Sequence, residues 1–181
     1  HGYSEAIYLE DRESNGIELY RDKPEAEWDI REDGRIIGVT EELSAQDIYQ
    51  LGKEIEPFAI ASGTRMGHVH LSVKNSREAS VFYQESLGLE DKFTIPHASW
   101  IASGDYHHHL AVNEWGGKNL APREHGMTGL AYYAVEVENK EELLKVFAQS
   151  QSANAITQWI SSAEFSMTDK DGIVTRVRVG N

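Results

Sequence analysis

Hydrophobic and polar positions along this chain fall into short runs whose period switches between two and about 3.6. The switch is sharpest from Arg65 to Glu90, RMGHVHLSVKNSREASVFYQESLGLE. There His68, His70 and Ser72 alternate with Val69, Leu71 and Val73, the pattern of a strand with one polar and one apolar face. Asn75 stands three residues before Glu78, an Asx variant of the capping box. Ala79, Phe82, Tyr83 and Leu87 follow at helical spacing and Gly88 supplies a stop, which predicts a helix over Ser76–Leu87.

Upstream, Ser4–Leu9 and Ile17–Tyr20 read as two strands around a turn at Glu10–Gly16, where Asn15-Gly16 is a hairpin signal. Arg21–Gly34 is a charged connector with Pro24, and Arg35–Val39 a short edge strand. Ile48, Leu51 and Ile55 suggest a short linking helix over Ser44–Ile55. Downstream come strands near Lys92–Ile95, Ala98–Ser103 and His107–Asn113. A loop runs from Trp115-Gly116-Gly117 through Pro122 to Thr128. A strand at Leu130–Val137 then leads to a helix at Lys140–Gln149. Strands near Ala155–Ile160, Ala163–Met167 and Val174–Val179 close the chain, the last two joined by Asp169–Gly172. One strand–helix–three-strand unit is used twice.

Self-similarity supports that reading. A spacing of 64 positions (139 − 75) maps Asn75 onto Asn139, Glu78 onto Glu142, Leu71 onto Val135 and Val73 onto Val137. A spacing of 158 (169 − 11) maps Asp11 onto Asp169, Ser4 onto Ser162, Ile17 onto Thr175 and Leu19 onto Val177. The N-terminal hairpin therefore reads as the last hairpin of an earlier domain of the same kind. Because His1 stands where an initiator methionine would and a strand follows at once, the chain is expected to be a fragment of a longer protein.

Composition narrows the classes. At 181 residues and 40% hydrophobic content the chain can bury one full domain plus an attached piece. With no cysteine it has no disulfide, thiolate metal site or cysteine nucleophile, which suits the cytoplasm as the expected location. A formal net charge of −13 argues against nucleic acid or an anionic membrane as partner. The acids are dispersed and read as a solvated surface. No apolar run approaches the length of a membrane span.

Two imidazoles on one strand face are either metal ligands or a polar cavity wall, and the motif alone leaves both open. Three motifs together go further. GHVHLSV…FYQESLGL, GDYHHHLAVNEWGG and HGYSEAIYLED…NGIELY resemble the two-domain catechol extradiol dioxygenases of the glyoxalase, or vicinal oxygen chelate, superfamily. The resemblance implies an α+β fold in which paired βαβββ modules curl into a half-barrel around ferrous or manganous ion. It divides the chain into a hairpin of an upstream domain (1–29), a linker with a short helix (30–62) and a complete domain (63–181) of modules 63–128 and 129–181. Two histidines and a glutamate hold the metal in such enzymes. That set leaves positions for a small aromatic catecholate and for dioxygen, and a nearby base removes a catechol proton.

Under that resemblance, Glu18 matches the carboxylate ligand, Tyr8 the active-site tyrosine and His1 the second-sphere histidine. The plainer alternatives are a solvated strand glutamate, a packing tyrosine and a chain-end histidine. In the complete domain His68 matches the first metal ligand. Its counterpart in the next module is Tyr132, and the counterparts of Glu18, Tyr8 and His1 are Arg176, Ser166 and Trp159. A permanent guanidinium repels a divalent ion, so the complete domain is expected to be metal-free. His108 matches the acid–base histidine. Strand alternation would turn His107 and His109 away from it, making His108 a polar cavity residue with two surface neighbours. A re-formed site of His68, His70 and His108 without a carboxylate is the second reading. His97 and His125 fall in loops and receive no role.

The leading expectation is thus the C-terminal part of an extradiol ring-cleaving dioxygenase whose metal site lies in the upstream domain, this part alone being inactive. The alternatives are a metal-free binding protein for a small aromatic or anionic ligand, lined by Tyr132, Trp159 and Arg176, and a glyoxalase-like enzyme. The upstream domain is the expected partner, neither nucleic acid nor membrane is, and homo-oligomer formation stays open.

Overall fold

The computed structural model describes every residue except 54, 55, 58, 118, 125 and 181. Ile55, counted above in the linking helix, and His125, placed in a loop, lie outside the described residues. The chain forms two compact units, 1–31 with 36–67 and 32–35 with 68–181.

In the first unit, β1 (Ser4–Glu10) and β2 (Gly16–Asp22) pair antiparallel with Tyr8 opposite Glu18. The turn is not the two-residue Asn-Gly type. Asp11 Oδ1 accepts from the backbone N–H of Glu13 and Asn15, each at 2.8 Å, and Ser14 takes the left-handed conformation at φ 62°. The expected strand at Arg35–Val39 reduces to a single bridge, Ile30 to Ile36. Its backbone groups are engaged elsewhere: Ile37 N–H donates to the Asp29 carbonyl, and the Val39 carbonyl accepts from His1. Helix α1 (Ala45–Leu51) is capped by Ser44, whose side chain accepts from Asp47 N–H.

The second unit holds two copies of one module. The first comprises β3 (Val69–Ser72), α2 (Ser76–Leu87), β4 (Glu90–Ile95), β5 (Ala98–Ala102) and β6 (Leu110–Asn113). The second comprises β7 (Tyr133–Val137), α3 (Lys140–Ser152), β8 (Ile156–Ser161), β9 (Glu164–Thr168) and β10 (Val174–Val179). Each makes a four-stranded mixed sheet, ordered β3-β6-β5-β4 and β7-β10-β9-β8. In both, the first strand runs parallel to the last and the helix forms the crossover. This is the α+β fold of paired βαβββ modules.

Both helices start as the sequence indicates. Asn75 accepts from the N–H groups of Arg77 and Glu78 and donates to the Glu78 carboxylate, while Asn139 accepts from Glu142 N–H. Gly88 ends α2 at φ 70°. The first hairpin's chemistry also recurs 158 positions on. Asp169 Oδ1 accepts from Asp171 and Ile173 N–H at 3.0 and 2.8 Å, and Ser166 pairs with Arg176 as Tyr8 pairs with Glu18. Several boundaries differ from expectation, among them the end of α1 at Leu51. β6 begins at Leu110 rather than His107, β7 begins at Tyr133 rather than Leu130, and α3 continues to Ser152.

Leu71, Tyr83, Ile101, Leu143, Phe165 and Val177 belong to one buried cluster that joins both modules. A polar link crosses the same boundary: the Tyr83 hydroxyl donates to Asp169 Oδ2 at 2.7 Å. Burial raises the Asp169 pKa above the usual carboxylate range, partly offset by the hydrogen bonds from Tyr83 and Ile173. The folded state therefore holds this proton more tightly than the unfolded chain. Its stabilising share is complete below the unfolded pKa, about 3.9, and is lost as pH rises through the folded value. Urea melts against pH should show that decline, and Asp169→Asn should flatten it. Among the described residues no helix is long and apolar enough to cross a membrane.

Candidate functional site

Each unit carries a cluster of the residues singled out above. In the first, strand pairing sets Tyr8 directly across from Glu18 on one face of the hairpin. The Tyr8 hydroxyl lies 2.7 Å from Glu18 Oε1 and 2.5 Å from His1 Nε2. His1 Nε2 is also 3.9 Å from Glu18 Oε1, and its Nδ1 is 3.1 Å from the Val39 carbonyl. The Glu18 side chain is only 12% exposed, which weighs against the plain reading of a solvated strand glutamate.

The Val39 carbonyl only accepts, so His1 Nδ1 donates to it, and the phenol donates to the Glu18 carboxylate. Burial, then the hydrogen bond and charge of Glu18, push the Tyr8 pKa well up, so the phenol stays protonated. Neighbouring Tyr3 is pushed up to about 12 by burial and by the Glu18 charge.

In the second unit, His68, immediately before β3, and His70, within it, flank Val69 and lie near one another. His108 reaches them from the bend that precedes β6. Ring centroids lie 4.3 Å apart for His68 and His108, 5.1 Å for His68 and His70, and 5.4 Å for His70 and His108. One ring nitrogen from each falls within 4.8 Å of the other two. Burial first, then the neighbouring imidazoles, His68 foremost, drives the His108 pKa far down and keeps the ring neutral.

The alternation argument for His107 to His109 does not hold, because these residues precede the strand. His107 is 1% exposed rather than at the surface, and its Nδ1 lies 2.7 Å from Nδ1 of His108. Only His109 turns outward, accepting from Ser103 N–H at Nδ1. The missed signal was Ser103-Gly104-Asp105, a turn cluster directly before the histidines, where Gly104 adopts φ 64°. Trp115, given no role above, packs its ring 6.1 Å from His70.

Tyr132 and Arg176, the counterparts of metal ligands, meet each other instead. The Arg176 guanidinium lies 3.8 Å over the Tyr132 ring and 3.5 Å from Glu164. Trp159 stacks on Phe147 with centroids 4.6 Å apart and sits under the Lys140 ammonium.

The chain is 33% identical over 145 residues to a catechol-2,3-dioxygenase of Bacillus subtilis (strain 168), a match that covers 79% of this chain and 51% of that protein. It thus spans about half the length of the curated relative it matches. Among solved structures it superposes on a glyoxalase/dioxygenase from Nostoc punctiforme with a TM-score of 0.52 at 14% identity, covering 68% of this chain and 97% of that one. It also superposes on a glyoxylase/bleomycin resistance protein/dioxygenase domain from Frankia sp. EAN1pec with a TM-score of 0.51 at 19% identity, covering 66% and 100%. No protein-family model matches the chain.

Proposed function

We propose, from this chain's membership of the glyoxalase, or vicinal oxygen chelate, superfamily, that the whole protein is a metal-dependent extradiol dioxygenase acting on a catechol-type ring. This chain contributes its C-terminal part. The observation that carries the reading is the hydrogen-bonded line of His1, Tyr8 and Glu18, the three residues that match the dioxygenase motif, on one face of one hairpin.

The opposite face of that hairpin supports a larger partner sheet. Ile7 pairs with Leu19 there, and these two are 47% and 58% exposed. Leu43 and Ile48 border these side chains, yet two strands with so much apolar surface exposed are marginal in water. In the proposed protein the remainder of an upstream module covers it.

The donor set of this unit fits a metal in part. Glu18 is a carboxylate suited to iron or manganese, and the two imidazole ligands would come from the upstream module. When bound, such an ion supplies positions at which a catecholate and dioxygen meet. The chain's own residues do the rest. Glu18 would hold such an ion, and the Tyr8 hydroxyl and His1 Nε2, 2.5 Å apart beside it, would hydrogen-bond to substrate or oxygen. Arg176, the cation on which a metal-free anion binder would rely, is already stacked on Tyr132 and paired with Glu164. No observation favours that alternative or a glyoxalase-like enzyme.

The test is Glu18→Ala in the whole protein. Bound iron or manganese should fall below about a tenth of the wild-type level, the loss of a direct ligand costing at least as much as loss of an outer-shell partner. Ring cleavage, followed as the coloured ring-opened product, should disappear with it. Metal content and turnover both left intact would sink the assignment.

A further inference from the structure

We propose that His68, His70 and His108 form a second metal site, for a zinc-class divalent transition ion, built within a single module and without a carboxylate. Two of its residues stand where the dioxygenase resemblance marks a role, His68 as a metal ligand and His108 as an acid–base histidine, but His70 has none there and no residue comes from the second module. It is independent of the ring-cleavage reading, because it concerns the second unit alone.

The donor chemistry fits. Three imidazoles suit zinc, cobalt, nickel or copper better than magnesium or calcium, and three protein ligands leave a fourth position open. The geometry needs little adjustment. Tetrahedral bonds of about 2.0–2.1 Å bring ligating nitrogens to about 3.4 Å from one another, whereas the three now lie within 4.8 Å. Exposed His70 has room to turn about its side-chain torsions toward the other two rings.

The frame around the cluster is that of a supported site. His107, buried behind His108, contacts it through the two Nδ1 atoms at 2.7 Å. Ligating imidazoles usually have such a partner on their second nitrogen, which sets the ring's orientation. The Tyr106 ring lies against His107 with centroids 4.1 Å apart and fixes it in turn. His68 and His70 are held in register because Val69 and Leu71 face the core and β3 pairs with β6. Burial is graded from His108, which is buried, to His70, which is exposed, so the cluster has a rigid floor and an open mouth.

The experiment is titration of the chelator-treated 181-residue chain with Co²⁺, read by its visible absorption, and with Zn²⁺ by calorimetry. One equivalent of each should bind. His70→Ala, at an exposed position that leaves the core intact, should weaken Zn²⁺ at least about tenfold, and His108→Gln should do the same. His107→Ala should weaken it by about 10- to 100-fold, the range for an outer-shell partner. His97→Ala, in a loop of the same unit, should have no effect. Failure to take up Co²⁺ or Zn²⁺ would overturn the site, as would uptake by His70→Ala equal to that of the parent chain, which would place the ion elsewhere. If His108→Gln does not fold, His70→Ala alone decides. Ring cleavage is read on the whole protein and this uptake through His70 and His97 variants of the second unit, so loss of the ring-cleavage reading and loss of this site register separately.

Discussion

Truncating Phe165 to alanine should destabilise the second unit by about 3–5 kcal/mol, a large share of the roughly 5–15 kcal/mol that holds a typical domain together. Phe165 is fully buried on β9. Its ring meets Phe147 of α3 edge-on at 5.1 Å and Trp159 of β8 at 5.6 Å. Deletion removes the transfer energy of the ring and opens a cavity between a helix and two strands that cannot all collapse into it. The lost aromatic pairs, each worth about 0.5–1.5 kcal/mol, are part of that cost. Urea unfolding followed by tryptophan fluorescence reads the effect directly, because Trp159 reports from the edge of the cavity. A loss below about 1 kcal/mol would mean that the sheet slides to fill the space. Phe165→Leu keeps most of the volume and should cost less.

The second large effect rests on the proposed ring cleavage. Tyr8→Phe in the whole protein should lower kcat by about 10²- to 10³-fold with bound metal unchanged. Phenylalanine keeps the ring on the hairpin but removes the hydroxyl that joins His1 to Glu18. A substrate oxygen then loses a hydrogen-bonding partner beside Glu18. The split between metal content and turnover separates the two residues: Glu18→Ala should lose both, and Tyr8→Phe only the second. If Tyr8→Phe lost metal as well, Tyr8 would be acting by positioning the Glu18 carboxylate rather than by touching substrate. Unchanged turnover would make Tyr8 a packing residue, as the bare sequence also allows.

The fold was legible because its determinants are local and repeated. Alternation at Val69, Leu71 and Val73 defines a strand, Asn75 with Glu78 starts a helix, and Gly88 ends it, each through contacts within a few residues. The recurrence of Asp11 as Asp169 carried a whole turn with it, since a carboxylate that accepts from the second and fourth residues onward makes the same bend wherever it stands. The line of His1, Tyr8 and Glu18 was legible for a related reason, strand register placing Tyr8 across from Glu18. Boundaries failed where a local rule was applied past its element. Arg35–Val39 has the residues of a strand, but its carbonyl and N–H groups are taken by His1 and Asp29.

The histidines of the second unit divide along the same line. By itself the sequence put His68 and His70 on one face of a strand, because side chains two apart on a pleated backbone must share it. It could not say where His108 points. A bend begun at Gly104 replaces strand alternation there, and burying His107 against Tyr106 turns His108 onto His68. Likewise, Tyr132 and Arg176 are 44 positions apart (176 − 132). Only the parallel pairing of β7 with β10 brings the guanidinium over the ring. Sequence therefore determined the modules and the chemistry available to each strand face. Tertiary structure decided which imidazoles meet, because that depends on contacts between residues far apart in the chain, which no local period encodes.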